Sequence, residues 1–403
     1  MPTDTTDDER VVCHLVERLS FGGAQSVVEK LATRLLTSRY RPLVCCMQSG
    51  PLGPVLQSEG VEVVSFDFAR RSVLTGPIYI VQLVRLLRSL VAMVRRHRVD
   101  VIHAHLPDAI LVAAVVGYLT KTPVVATYHG LRIVPPERSR LDPRNPARRA
   151  LYRLAGRIVD KTIAVSPQVL TMLRDELGFR SRDTVLIVNG IETDELDQAP
   201  VPDALRTELE LSPKHRVVTC VGRFVEHKRQ CVLIEAMVHV VARFPDAVLV
   251  LVGEGRSRAE LEQCTQRHDM KDHVRFVGAR SDVPAILALT EVFALTSSYE
   301  GTPVSVLEAM AAGRPVVASR VPGNEDVIVD GRSGLLVPPE SPIATAEAIS
   351  RLFADTSFAS DLAGRGRQRA RDSFDIQGSV DLTISLYDDV LSTRRAQALS
   401  RGG

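Results

Sequence analysis

Tryptophan is missing from the 403 residues, and aromatic residues make up only 4%. With 50 Lys+Arg set against 48 Asp+Glu, the chain has neither the charge nor the interleaved aromatics of a nucleic-acid-binding module. No apolar run approaches the ~20 residues that cross a bilayer; Ala109 to Leu119 falls well short. The opening MPTDTTDDER is acidic and polar, unlike a signal peptide, and residues 1–10 read as a disordered tail. Cys13, Cys45, Cys46, Cys220, Cys231 and Cys264 form no CxxC and no metal-ligand spacing. Most sit in apolar runs, which points to buried, reduced thiols and a cytosolic setting. Asp-x-Asp does not occur. Nor does G-x-G-x-x-G: the candidates are Gly22-Gly23 and Gly253-Glu254-Gly255, so a nicotinamide enzyme is discounted.

What the chain does have is alternation. Short β-branched runs at Val11–Val16, Leu43–Met47, Val61–Phe66, Val101–His105, Val124–Thr127, Thr162–Val165 and Val185–Val188 are mostly separated by helical patterns such as Ala24–Leu36 and Ile78–Arg96. Fully apolar strands alternating with helices predict a parallel sheet covered on both faces. The pattern lapses in an acidic, Pro-containing stretch over residues 192–202, read as a linker. It restarts with Val217–Val221, Val248–Val252, Val274–Val277, Val292–Leu295 and Val316–Ala318, and the chain ends in helical segments. The expectation is an α/β fold of two tandem, Rossmann-like, doubly wound domains, residues 11–191 and 203–374. The segment 375–403 is a terminal helix expected to pack back toward the first domain. Ligands are expected at the carboxyl ends of the strands, in a cleft between domains.

The strongest local signal is SSYEGTPVSVLEAMAAGRPVVAS, Ser297 to Ser319. A loop holding Glu300 and Gly301 leads to Thr302, expected as N-cap, and Pro303, expected at the first helical position. The helix is expected to stop at Gly313. Glu300 and Glu308 then lie roughly 8–10 Å apart along its axis, with the free N–H groups of a helix start between them for a phosphate. Without its surroundings such a pair reads more readily as two ordinary helix-end acids, and the surrounding Gly-Thr-Pro and Glu-Ala-Met-Ala reverse that reading.

This segment closely resembles the E-x7-E signature of the retaining glycosyltransferase family 4, which has the two-domain GT-B fold. SFGGAQSVVEKLA, HAHLPDA, TYHG, AVSP, VNGIE, VGRFVEHKRQ, LVLVGEG, VRFVGARSDV and VPGNEDVIVDGRSGLLVPP follow in the family's order across almost the whole chain. The resemblance implies a nucleotide-diphosphate sugar as donor, held by Gly22, Gly23, Arg223, Lys228, Glu300, Gly301, Thr302, Pro303 and Glu308. It implies that His129 contacts the donor sugar near the reacting centre. His129, Glu300, Arg223 and Lys228 are thus the candidate catalytic set, the two cations suiting a departing diphosphate. Where the family usually has Lys-Gly, this chain has Lys228-Arg229; where it has Gly-Gly-x-Pro-Glu, this chain has Gly323, Asn324, Glu325 and Asp326, with Asp326 aligned to the acid.

His103 and His105 share a strand face, but no third ligand is evident, so no metal is expected. The absence of Asp-x-Asp, the metal-diphosphate holder of the other large glycosyltransferase fold, fits metal-independent chemistry. No cofactor is expected, and the choice between a UDP and a GDP donor stays open. Nor is a covalent nucleophile evident, so retention would rest on positioning and electrostatics.

The acceptor side is expected to include His105 and Arg132. Residues 1–199 carry a net charge of +5 and the remainder −3, and two basic, apolar stretches stand out, Ile78–Arg98 and Leu131–Arg157. They read either as helices covering a sheet or as contacts to an anionic membrane. A glycan, lipid-linked or small-molecule acceptor in cell-envelope or exopolysaccharide synthesis is therefore expected, at a cytoplasmic location with peripheral association at the inner membrane face. Competing readings are a sugar-nucleotide epimerase, a phosphorylase of the same outline, and a non-catalytic sugar-nucleotide binder.

Overall fold

The computed structural model describes residues 9–20, 22–68, 77–130, 146–197 and 202–402. Residues 1–8 of the expected tail, Pro200 of the expected linker, and Arg132 with the rest of 131–145 lie outside them. The chain divides into two compact units, Met1–Val188 with Gln377–Gly403, and Asn189–Ile376.

The first unit holds a seven-stranded sheet: β1 (Arg10–Arg18), β2 (Tyr40–Gln48), β3 (Glu62–Ser65), β4 (Val101–His105), β5 (Val124–Tyr128), β6 (Lys161–Ala164) and β7 (Thr184–Leu186). Its order is β3-β2-β1-β4-β5-β6-β7, with every pairing parallel. All seven expected strands are present, shifted by a residue or a few at their ends.

Strand parity sorts the side chains between two layers. Cys13 and Leu15 of β1 face a core shared with Ile102, Ala104 and Ala126. Helices α3 (Pro77–Arg96), α4 (Pro107–Thr120) and α5 (Pro146–Ile158) close that layer through Leu86, Leu90, Ile110, Ala113, Tyr152 and Ala155. Val16, Val44 and Cys46 face the other layer, closed by α1 (Gly23–Leu35) and α2 (Leu52–Ser58) through Val28, Ala32, Leu52 and Leu56.

The terminal helix Ile376–Gly402 also joins this unit. Tyr40 donates its hydroxyl to Asp388 at 2.6 Å, Arg394 forks onto Asp160 at 2.6 and 3.0 Å, and Lys161 lies 3.2 Å from Asp389.

The second unit holds β8 (Arg216–Val221), β9 (Ala247–Val252), β10 (Val274–Gly278), β11 (Val292–Leu295), β12 (Val316–Ser319) and β13 (Leu335–Val337), in the order β10-β9-β8-β11-β12-β13. Its pairings are also parallel. The three-residue β13 was not expected; Leu335-Leu336-Val337 is too short to show a period of its own.

The stretch expected as a linker begins with a helix, Thr193–Asp197, inside this second unit. Thr193 donates its hydroxyl to Asp375 at 2.8 Å, and Ile191 bridges to Asp375. An acidic, polar stretch looks the same in sequence whether it is a free linker or a tethered turn.

Candidate functional site

In each sheet the strand order reverses beside the first strand of the unit, between β1 and β4 and between β8 and β11. Chains leaving the carboxyl ends of such neighbours diverge to opposite faces, which leaves room there for a ligand. The candidate residues gather at these two places.

In the second unit, β8 runs out through Gly222 and Arg223 into a short 3-10 turn, Glu226–Lys228, and Arg229 takes a left-handed conformation (φ 49°) before the next helix. The chain leaving β11 is stitched to this loop. The Ser298 amide donates to the His227 carbonyl at 2.8 Å, Thr296 Oγ1 donates to the Arg229 carbonyl at 2.9 Å, and Tyr299 stacks on His227 with ring centroids 4.4 Å apart. The result is one ion pair: Lys228 Nζ donates to Glu300 Oε1 at 2.6 Å. Glu300 is only 7% exposed, so its carboxylate depends on that ammonium; removing one partner of such a buried pair costs roughly 3–5 kcal/mol. Beneath the pair, burial pushes the Cys220 thiol up to about 12, the nearby ammonium and carboxylate pulling in opposite directions. Arg223 is exposed and makes no ion pair among the described residues, and its carbonyl accepts from Gln230 at 3.0 Å.

Two glycines make this geometry accessible. A Cβ on Gly253 (φ 143°) would lie 2.0 Å from the Gly222 carbonyl oxygen, so the tip of β9 approaches the tip of β8 only without a side chain. A Cβ on Gly323 would lie 2.3 Å from the Gly301 carbonyl oxygen, so the helix Pro322–Val327 rests directly on the Glu300-Gly301 backbone.

Around that contact, Ser319 donates its hydroxyl to the Ser297 carbonyl, and Asn324 donates its amide to the Ser319 carbonyl at 2.7 Å. Ser297 Oγ and Asn324 Oδ1 are buried without a partner among the described residues. These are polar groups a ligand can satisfy, and the sequence reading did not single out Ser297. No local pattern marks a buried serine whose hydroxyl lacks a partner.

The helix after Glu300 spans Val304–Ala311, with Pro303 as its N-cap and no side-chain capping bond. This corrects the expected Thr302 cap and the placement of Pro303 inside the helix. Pro303 has ψ 83°, outside the helical region, so the turn begins one residue later. Gly313 ends the segment with φ 64°, as expected. Gly301 is buried, and Thr302 and Glu308 are half-buried.

In the first unit a chain of imidazoles fills the β1–β4 junction. His14 pairs in register with His103 across the two strands. His14 Nδ1 lies 3.2 Å from His105 Nε2, and His105 Nδ1 lies 3.2 Å from His129 Nε2. His103 is fixed separately, its Nδ1 2.6 Å from the Tyr387 hydroxyl and its Nε2 2.7 Å from Thr127 Oγ1.

Burial lowers His14 to about 3 and His129 to about 4, and holds His103 and His105 well below the ordinary imidazole value. All four are therefore neutral near pH 7, each with one donor and one acceptor nitrogen. The two ends of the relay, His14 Nε2 and His129 Nδ1, have no partner among the described residues.

The sequence showed no third ligand beside His103 and His105; the fold supplies one in His14, and ring nitrogens of the three lie within 4.8 Å of one another. Register between two distant strands brings them together, and chain spacing carries no trace of it. Gly22 is the N-cap of α1, its carbonyl accepting from the Ser26 amide at 2.8 Å, and Gly23, expected in the loop before the helix, is the first helical residue.

Two family models match the chain: one described as Glycosyltransferase Family 4, over residues 21–195, and one described as Glycosyl transferases group 1, over residues 202–369. Among curated relatives, the lipopolysaccharide core biosynthesis glycosyltransferase LpsE of Rhizobium meliloti (strain 1021) is 32% identical over 241 residues, 60% of this chain and 66% of that protein. The chain thus spans about two thirds of that relative's length. The UDP-Gal:alpha-D-GlcNAc-diphosphoundecaprenol alpha-1,3-galactosyltransferase of Escherichia coli is 24% identical over 396 residues, 96% of this chain and 99% of that one. Of solved structures, HepE of Anabaena in complex with UDP and glucose superposes with a TM-score of 0.78 at 23% identity, covering 94% of this chain and all of the other.

Proposed function

This chain belongs to glycosyltransferase family 4, with the GT-B fold, and from that membership we propose that it transfers a sugar, with retention and without a catalytic metal, from a nucleotide-diphosphate donor to a hydroxyl of a glycan or lipid-linked envelope precursor. The observation that carries this reading is the Lys228–Glu300 pair, held at the carboxyl ends of adjacent strands at the point where the order of the sheet reverses.

Lys228 and the exposed Arg223 supply positive charge where a departing diphosphate gains negative charge. Glu300, Gly301, Thr302, Pro303 and Glu308 frame the donor, and Gly22 and Gly23 give it a close backbone approach. His129 keeps the role the family implies, contact with the donor sugar; being neutral, it offers a hydrogen bond without a competing charge. His105 stands behind it on the acceptor side.

A nucleotide-sugar donor is supported by the relatives' names and by the UDP-bound neighbour. An envelope acceptor is supported by the lipopolysaccharide and diphosphoundecaprenol relatives.

We propose further that the first unit meets an anionic membrane surface. Among the described residues no helix is long and apolar enough to cross a membrane. The helices α3, α4 and α5 nonetheless leave Ile80, Val84, Tyr118, Leu119, Leu151 and Leu154 exposed, and Arg85, Arg88, Arg153 and Arg157 stand exposed on α3 and α5. Apolar and cationic side chains together fit anionic headgroups over acyl chains.

The donor test uses a panel of UDP-, GDP- and ADP-sugars without added metal. One donor should bind and be slowly hydrolysed, with Glu300→Gln and Lys228→Ala each lowering kcat/KM at least ~100-fold. Far-UV circular dichroism of both variants separates loss of the site from loss of the fold. If folded wild-type protein binds no nucleotide sugar, the transferase reading fails.

A further inference from the structure

Two helices of the second unit outside the donor loop, Gln230–Arg243 and Arg258–Arg267, pack side by side. Each presents two metal-ligating side chains one turn apart: Cys231 and Glu235 on the first, Cys264 and His268 on and just past the second. The ligand atoms of Glu235, Cys264 and His268 lie within 4.8 Å of one another. Cys264 Sγ is 3.9 Å from the Cys231 carbonyl, which places Cys231 on the facing helix directly beside it.

His268 Nε2 stands 3.9 Å from Glu235 Oε1, too long for a hydrogen bond. Neighbouring N and O ligands of a tetrahedral zinc ion lie roughly 3.3–3.5 Å apart, so a side-chain shift of about half an ångström brings the pair to that spacing. Cys264 is buried while Cys231, Glu235 and His268 are partly open, so the group has a dry sulfur floor and a solvent-facing rim.

We propose that Cys231, Glu235, Cys264 and His268 form a binding site for a thiophilic divalent cation, Zn2+ being the representative. Two thiolates, one imidazole and one carboxylate make a ligand set that suits Zn2+ and suits Mg2+ or Ca2+ poorly. Coordination releases the two thiol protons to solvent and leaves the neutral imidazole nitrogen as donor; no redox change is involved. The ion ties the two helices together. Because Gln230–Arg243 starts immediately after Lys228 and Arg229, the tie also anchors the base of the donor loop. The six cysteines show no metal spacing along the chain because the site is assembled across two helices, each contributing an i,i+4 pair.

The experiment uses the full chain, reduced and stripped with chelator, with Co2+ as the spectroscopic probe and Zn2+ as competitor. One Co2+ per chain should bind, with the d–d bands of a tetrahedral site and a sulfur-to-cobalt charge-transfer band, both abolished by Zn2+. The charge-transfer band should weaken in Cys264→Ser and vanish when Cys231→Ser is added. The surface variants His268→Ala and Glu235→Gln, which leave the core intact, should each bind at least ~10-fold more weakly. Absence of the charge-transfer band overturns the proposal, as does a cobalt signal that survives His268→Ala but is lost in His105→Asn. A Cys231–Cys264 disulfide in air-exposed protein, with no cobalt uptake by the reduced form, overturns it as well.

Discussion

A histidine buried in neutral form binds fewer protons in the fold than in the unfolded chain, and His14, His103, His105 and His129 are all of this kind. In the unfolded chain each takes up a proton below about pH 6.5; in the fold His129 resists until about 4 and His14 until about 3. The unfolded state therefore binds more protons throughout that window, and stability falls as pH falls through it. Each imidazole that stays neutral should cost about 2 kcal/mol of stability between about pH 7 and pH 5. Urea melts of the wild type should shift to lower midpoints over this range. His14→Gln, which removes one of the titrating groups, should show a shallower pH dependence even if it is less stable at pH 7. An equal slope in the two proteins would mean that the buried relay does not stay neutral.

At the scale of elements, backbone approach decides where the Lys228 loop sits. Gly253→Ala sets a methyl group 2.0 Å from the Gly222 carbonyl and holds a side chain at φ 143°. It should cost at least about 2 kcal/mol and lower donor affinity through displacement of the Lys228 loop. Gly364→Ala, inside the helix Thr356–Phe374 with nothing within 4 Å, should instead stabilise by about 0.5–1 kcal/mol. Denaturation midpoints of the two variants moving in opposite directions would support the account; movement in the same direction would refute it.

The same contrast explains what could be read beforehand. Runs such as Val101–His105 and Val292–Leu295 name their own strands, because a buried parallel strand is apolar throughout. Glu300 and Lys228 were legible because they sit in the family's motifs. His14 beside His103, Tyr387 on His103, and Gly323 against Gly301 were not, because each depends on register or approach between segments far apart in the chain. The missed cap at Thr302 is the reverse case: Thr-Pro has the composition of a helix start, but the backbone at Pro303 delays the turn by one residue.

At the scale of the whole molecule, charge and exposed apolar surface coincide. Residues 1–199 carry net +5 and the remainder −3, and the exposed apolar side chains of α3, α4 and α5 belong to the positive part. An anionic leaflet attracts each nearby arginine with about 1 kcal/mol, roughly a fivefold change in partitioning per residue, and the attraction decays over the Debye length of about 10 Å at 0.1 M salt. Apolar insertion is insensitive to salt, so the two contributions separate in one experiment. In sedimentation with phosphatidylglycerol-containing vesicles, the wild type should bind at low salt and lose most of that binding as salt rises. The combined variant Arg85→Gln, Arg88→Gln should lose roughly 25-fold at low salt, while Tyr118→Ser with Leu119→Ser should weaken binding equally at low and high salt. Vesicles of zwitterionic lipid should bind less than anionic ones. If the wild type ignores anionic vesicles even at low salt, the exposed face of α3–α5 serves something other than a membrane, and the lipid-linked acceptor loses its physical support while the donor site stands.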